Sequence, residues 1–242
     1  MVGVVRVYIG DTENLSRLDA GLAGYFDTEL PAAHTQNGHI AARLIEKVAG
    51  YYCALQREYD IPVFGSWYIG RAQTDPQDPA ATQYRIALPY AAPRASAAAI
   101  DWLTRAVNLY LASPEPPQQK HKELGQSFNQ LTDLFRSFAL PGTNNMHFVA
   151  AAHALGIPVH KLLHDSLVFG SGQASRWLSS SISDETPSLG VRFARNKQIS
   201  ASILRQHGLP APSHIVTHTE SEAIDAADKL GYPVVVKPID LD

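Results

Sequence analysis

The spacing of apolar residues divides the chain into short helices and strands punctuated by proline and glycine. Val2 to Ile9 is rich in β-branched residues and alternates weakly, which predicts an opening strand ending at Gly10-Asp11. Ile40, Leu44, Ile45, Val48, Tyr52, Leu55 and Tyr59 recur in steps of one, three and four, the spacing that gathers them on one helical face. That helix has to stop before Pro62, because the residue preceding a proline is pushed out of the helical region. Val63 to Ile69 and Gln83 to Leu88 read as strands around the loop Thr74-Asp-Pro-Gln-Asp-Pro79, and a second helix runs from about Arg94 to Leu111.

Ser113 to Gln119 holds three prolines among polar residues and is the best linker candidate. Beyond it, Leu124, Phe128, Leu131, Phe135 and Phe138 form an amphipathic helix whose aromatic stripe reads as core packing. From Pro141 the pattern tightens. Thr143 can cap a helix closed by Gly156, Ile157 to Leu163 reads as a strand, and Ser166–Phe169 and Trp177–Ile182 read as strands around Gly170-Ser-Gly172. A helix over 194–207 stops at Gly208-Leu-Pro210, and a strand near His214–Thr217 leads to a helix over 220–230. Gly231-Tyr-Pro then introduces Val234-Val-Val236, read as a buried central strand with Lys237-Pro238 at its exit. The pattern predicts an α/β chain: an N-terminal α+β domain over 1–112, a linker and amphipathic helix over 113–140, an α/β segment over 141–190, and a further domain over 191–242.

Composition narrows the chemistry. With 242 residues, 45% of them hydrophobic, disorder is excluded, and a net charge of −3 without a basic block argues against a nucleic-acid partner. The one cysteine, Cys53, excludes an intramolecular disulfide framework, and no signal-like start or long apolar run predicts a membrane segment, so a cytoplasmic chain is expected. The P-loop pattern and the G-x-S-x-G nucleophile elbow are absent, and Cys53 sits mid-helix without a local base. His160 and His164 have the i, i+4 spacing of helical metal ligands, but in a strand that spacing separates them by about 13 Å, too far for one zinc. No metal ligand is therefore assigned.

Asn196-Lys197 at a helix start and Lys237 at the end of Tyr232-Pro-Val-Val-Val-Lys-Pro238 form a frame that resembles the start of an ATP-grasp domain. The resemblance implies that Lys197 and Lys237 bind the phosphates of ATP. Two ammonium groups there would neutralise the polyphosphate and stabilise the charge that develops as a γ-phosphoryl group moves to a carboxylate. Val5-Arg-Val-Tyr-Ile-Gly10 with Leu18-Asp19, the Ala54-Leu55-Gln56 helix before Ile61-Pro-Val63, Pro141-Gly-Thr-Asn144 and Asp165-Ser-Leu-Val168 narrow this to the cyanophycin synthetase family. The resemblance implies an ATP- and magnesium-dependent ligase that activates a peptide's terminal carboxylate as an acyl phosphate and joins an amino acid's amine to it. It also implies self-association into a homo-oligomer and places Ser166 near a peptide substrate.

Three features depart from that family. Ala49 and Gly50 stand near the place of a His-x-x-Glu-His-like helix pattern, and the turn after Ser-Leu-Val is shortened to Phe169-Gly-Ser-Gly172. The glycine-rich loop and the acidic or Asn magnesium ligands are not in these residues, so the expectation is an N-terminal portion of a ligase or a shortened chain, inactive alone. A rival reading is a peptide- or polymer-binding module with a vestigial ATP-grasp start, and a third is a structural subunit that completes a partner's active site.

Overall fold

The computed structural model describes residues 1–8, 15–26, 39–113, 115–142, 144–163 and 166–239. The chain is a mixed α/β fold that divides into two compact units, Met1–Ser175 and Arg176–Asp242. The first unit opens with β1 (Val2–Val7), α1 (Ser16–Leu22), α2 (Ile40–Glu58), β2 (Tyr68–Ile69), β3 (Gln73–Thr74) and β4 (Thr82–Ala87). It continues through α3 (Pro93–Ala112), α4 (Gln118–Arg136), α5 (Asn145–Ala154), β5 (Val159–Leu163) and β6 (Ser166–Phe169). The second holds β7 (Arg176–Ser179), β8 (Ile182–Ser183), α6 (Ser188–Arg195), α7 (Lys197–Gln206) and α8 (Glu220–Leu230).

β1 runs antiparallel to β4 in unbroken register from Val2 opposite Ala87 to Val7 opposite Thr82, and β2 and β3 pair with the other side of β4. The strand expected over 63–69 shrinks to Tyr68–Ile69, because Ile61 and Val63 are drawn beneath the helices, where both are buried. α2 is the spine of this unit. Its buried residues, among them Leu44, Tyr51, Tyr52 and Leu55, share one core with Val7 and Tyr84 of the sheet and Trp102 and Leu103 of α3. Ala95, Ala99 and Ala106 line the buried face of α3, and side chains this small let two helices approach closely.

The linker expected at 113–119 joins two helices of one packed unit. α4 lies against α3, and the Trp102 indole N–H donates to the Leu124 carbonyl at 3.3 Å. The aromatic stripe of α4 is core as expected: Phe128 meets Tyr25 and Trp102, both at 4.9 Å between ring centroids, and Phe135 is fully buried. Buried Gln56 is satisfied by donating to the Tyr52 carbonyl and accepting from the Ser96 hydroxyl, each at 3.0 Å, so it costs the core little. Residues 9–14, with the turn expected at Gly10-Asp11, and the Thr143 cap lie outside the described residues.

The second unit departs further from the pattern. The helix expected over 194–207 is α7, which starts at Lys197, and it is preceded by an unexpected helix, α6, with Asn196 in an extended conformation between the two. Residues 214–217 and 234–236 form no strand. Three consecutive valines express β-propensity, but a strand needs a hydrogen-bonded neighbour, and neither segment has a strand partner among the described residues. Val235 and Val236 are accordingly 85% and 79% exposed.

Gly21 of α1 faces the Tyr110 ring, and a Cβ built there would lie 2.4 Å from two of its carbons. Alanine ordinarily stabilises a helix relative to glycine, yet here the overpacking outweighs propensity. Gly21→Ala is expected to destabilise the first unit by about 1–3 kcal/mol in urea unfolding; a stabilised variant would show that the ring yields freely.

Candidate functional site

The site is built at the junction of α6 and α7. Asn196 ends one helix and caps the next: its side-chain oxygen accepts the Ile199 N–H at 2.9 Å, one of the donors that a helix start leaves unmatched. The Lys197 N–H, the first of α7, donates to the Ile239 carbonyl at 3.0 Å. The Ser200 hydroxyl donates to the Phe193 carbonyl at 2.7 Å and laces the end of α6 to the first turn of α7.

The bond to Ile239 brings the two expected phosphate-binding residues into one neighbourhood, since Lys237 lies two residues before Ile239. Lys197 is half-buried and Lys237 exposed. The expectation that Lys237 closes a buried strand is therefore corrected: Lys237 is exposed beside a segment that forms no strand, and no desolvation penalty demands an anion there. Arg192 and Arg195 lie in the last turn of α6, and the start of α7 adds the positive end of a helix dipole. Such a junction offers a polyanion cationic side chains and the positive end of a helix dipole.

Ser166 lies in the first unit, half-buried at the start of β6 opposite Leu163, where the β5–β6 register shifts between Lys161 and Leu163. Gly170 and Gly172 both take positive φ, 83° and 60°, which accounts for the glycines of that turn without a phosphate. Among the described residues, no three His, Cys, Asp or Glu side chains gather as metal ligands. The acidic donors that magnesium needs are thus not gathered among the described residues. His160 lies on β5, exposed, and His164 is outside the described residues.

In the first unit Ala49 and Gly50 are buried in α2. Close by in sequence, Lys47 at 2.6 and 2.7 Å and the Tyr51 hydroxyl donate to Asp19, tying α1 to α2. Burial and then the Asp19 carboxylate push the Tyr51 hydroxyl far above its ordinary value, so it remains a donor. Burial pushes the Cys53 thiol up to about 11, which removes it as a nucleophile at neutral pH. Sequence reasoning placed the helix start at Asn196-Lys197 but missed the Ile239 contact, which joins residues 42 positions apart and leaves no local signal.

No family model matches the chain. Over 120 residues, 49% of the chain, it is 34% identical to the cyanophycin synthetase of Geminocystis herdmanii (strain PCC 6308), and 32% identical over 120 residues to that of Trichormus variabilis (strain ATCC 29413 / PCC 7937). The resemblance drawn from the motifs is thus present over about half of the chain. These matches span 14% and 13% of the two relatives. A stretch of 45 residues, 19% of the chain, is 42% identical to the alpha-aminoadipate–LysW ligase LysX of Sulfurisphaera tokodaii, and spans 16% of that protein. The relatives support a ligase kind of reaction.

Two measurements check this geometry. Asn196→Ala is expected to cost about 1 kcal/mol and to speed amide exchange at Ile199; unchanged exchange there would deny Asn196 its capping role. Cys53 is expected to resist a thiol reagent at pH 8 in the native chain and to react fully in denaturant, and rapid native labelling would contradict its burial.

Proposed function

We propose that the chain serves an ATP-dependent carboxylate–amine ligase of the ATP-grasp type, with Lys197 and Lys237 as the cations that hold the nucleotide's phosphates. The observation that carries this is the Lys197 N–H to Ile239 carbonyl bond, which ties the helix start bearing one lysine to the segment bearing the other. The resemblance to cyanophycin synthetases and to LysX supports it.

In this reading a peptide's terminal carboxylate oxygen attacks the γ-phosphorus, ADP departs, and an acyl phosphate forms. The amine of an amino acid then attacks the acyl carbon, giving an amide and inorganic phosphate. The ammonium groups of Lys197 and Lys237 offset the charge on the β- and γ-phosphates as the bond to the leaving oxygen breaks, and the positive end of the α7 dipole adds to them. Magnesium, held by residues outside those described, would supply further charge neutralisation. Ser166 contacts the peptide substrate, and the protein works in the cytoplasm.

One observation favours a second reading, a peptide- or polymer-binding module without turnover: Lys237 follows two exposed valines, so the described residues do not wall the phosphates off from water. Calorimetry with ATP and, separately, with peptides divides the two.

In the natively produced enzyme, Lys197→Ala and Lys237→Ala are each expected to lower ATP-dependent amide formation, followed as ADP release, by about 10²–10³-fold. Lys229→Ala, in the last turn of α8, is the control and should leave the rate unchanged. Full turnover in either of the first two variants would refute the assignment.

A further inference from the structure

The break between α6 and α7 is spanned in both directions. Asn196 ends α6 and caps the start of α7, where its side-chain oxygen accepts the Ile199 N–H at 2.9 Å. In return the hydroxyl of Ser200, in the first turn of α7, donates to the Phe193 carbonyl at 2.7 Å and lies 3.5 Å from the Ala194 carbonyl. Both carbonyls belong to the last turn of α6, whose final four C=O groups find no donor within their own helix. Each helix end is thus capped from the other side of the break.

A serine inside a helix ordinarily turns its hydroxyl to solvent or to the carbonyl four residues back. For Ser200 that carbonyl belongs to Asn196, which accepts the Ser200 backbone N–H at 3.0 Å. The hydroxyl instead reaches seven residues back, across the break. Such a bond adds nothing to α7 as a helix; what it fixes is the angle between two helices, since the extended Asn196 is the one residue between them. Charges sit on both sides of that angle. Arg192 and Arg195 flank in sequence the two carbonyls that Ser200 meets, and Lys197, three residues before Ser200, is its neighbour on the surface of α7.

We propose that Ser200 is a positioning residue for the phosphate site: by holding the end of α6, its hydroxyl sets where the Lys197 ammonium stands relative to Arg192 and Arg195. The inference rests on the function proposed above, because a bound phosphate is what gives that arrangement a task. The four-carbon stem of a lysine is flexible, so a fixed helix start narrows the range that its ammonium samples. The Lys197 N–H bond to the Ile239 carbonyl refers the segment bearing Lys237 to the same helix start. With the Ser200 hydroxyl gone, water satisfies the exposed carbonyl, both helices persist, and the angle between them loosens.

The test is a double-mutant cycle on kcat/KM for ATP in the natively produced enzyme, followed as ADP release. Alanine has the higher helix propensity, so Ser200→Ala should fold. It is expected to lower kcat/KM about 3–10-fold, the worth of one hydrogen bond, and Ser200→Thr, which keeps the hydroxyl, to stay within about twofold of the parent. In a Lys197→Ala background the same Ser200→Ala change is expected to cost less than about twofold, because the group it positions is gone. A serine that only supports the fold would cost the same factor in both backgrounds. That result, an unaltered rate in Ser200→Ala, or a Ser200→Thr as impaired as Ser200→Ala would each overturn the proposal. The two claims fail separately. Full turnover in Lys197→Ala removes the proposed function and this inference with it, whereas an impaired Lys197→Ala beside an unaffected Ser200→Ala removes the inference alone.

Discussion

One backbone hydrogen bond, from the Lys197 N–H to the Ile239 carbonyl, is the constraint on which the candidate site depends. Without it, the start of α7 would present an unmatched donor, and the segment carrying Lys237 would have no fixed relation to the helix carrying Lys197. Asn196 makes the bond available. By leaving helical geometry at φ −92° and ψ 107° it ends α6, caps α7 and turns the Lys197 amide outward from both helices. The two lysines thus owe their shared neighbourhood to a cap, a break and one long-range bond, and the dipole of α7 adds to their charge.

The first unit works by different physics. Its rigidity comes from apolar burial around α2, with Trp102, Tyr51, Tyr52 and Phe135 as the largest fully buried side chains and small alanines setting the helix spacing. Two polar sets are closed in or beside this core: Gln56 with Ser96 and Tyr52, and at its margin Asp19 with Lys47 and Tyr51. Ala49 and Gly50 lie in that packing, so at these positions α2 is scaffold. Under the proposed function this unit is a support for peptide contact, with Ser166 at the start of β6 as its candidate side chain.

What was legible in the sequence was local. The face of α2, the aromatic stripe of α4, the start of α7 at Asn196-Lys197 and the positive-φ glycines at 156, 170 and 208 all follow from periodicity, capping or steric rules acting within a few residues. The misses come from longer range. Val63 was drawn beneath the helices instead of extending β2, α6 was not expected although Pro187 precedes its first residue, and the valines at 234–236 stay unpaired. β-propensity states what a segment can do, whereas a strand exists only where a neighbour supplies hydrogen bonds. The same rule separates the two lysines in legibility: Lys197 was readable from a cap, but the surroundings of Lys237 depend on tertiary partners.

The claim at the centre of this account is that Lys197 and Lys237 face the same nucleotide phosphates. The most direct measurement is labelling of the native protein with a lysine-reactive acyl-phosphate analogue of ATP, followed by peptide mapping with and without competing ATP. The account predicts ATP-protectable labelling at Lys197 and Lys237 and, at Lys47, Lys161 and Lys229, only labelling that ATP does not suppress. Protection confined to other lysines, or labelling of Lys197 and Lys237 that ATP leaves unchanged, would contradict it.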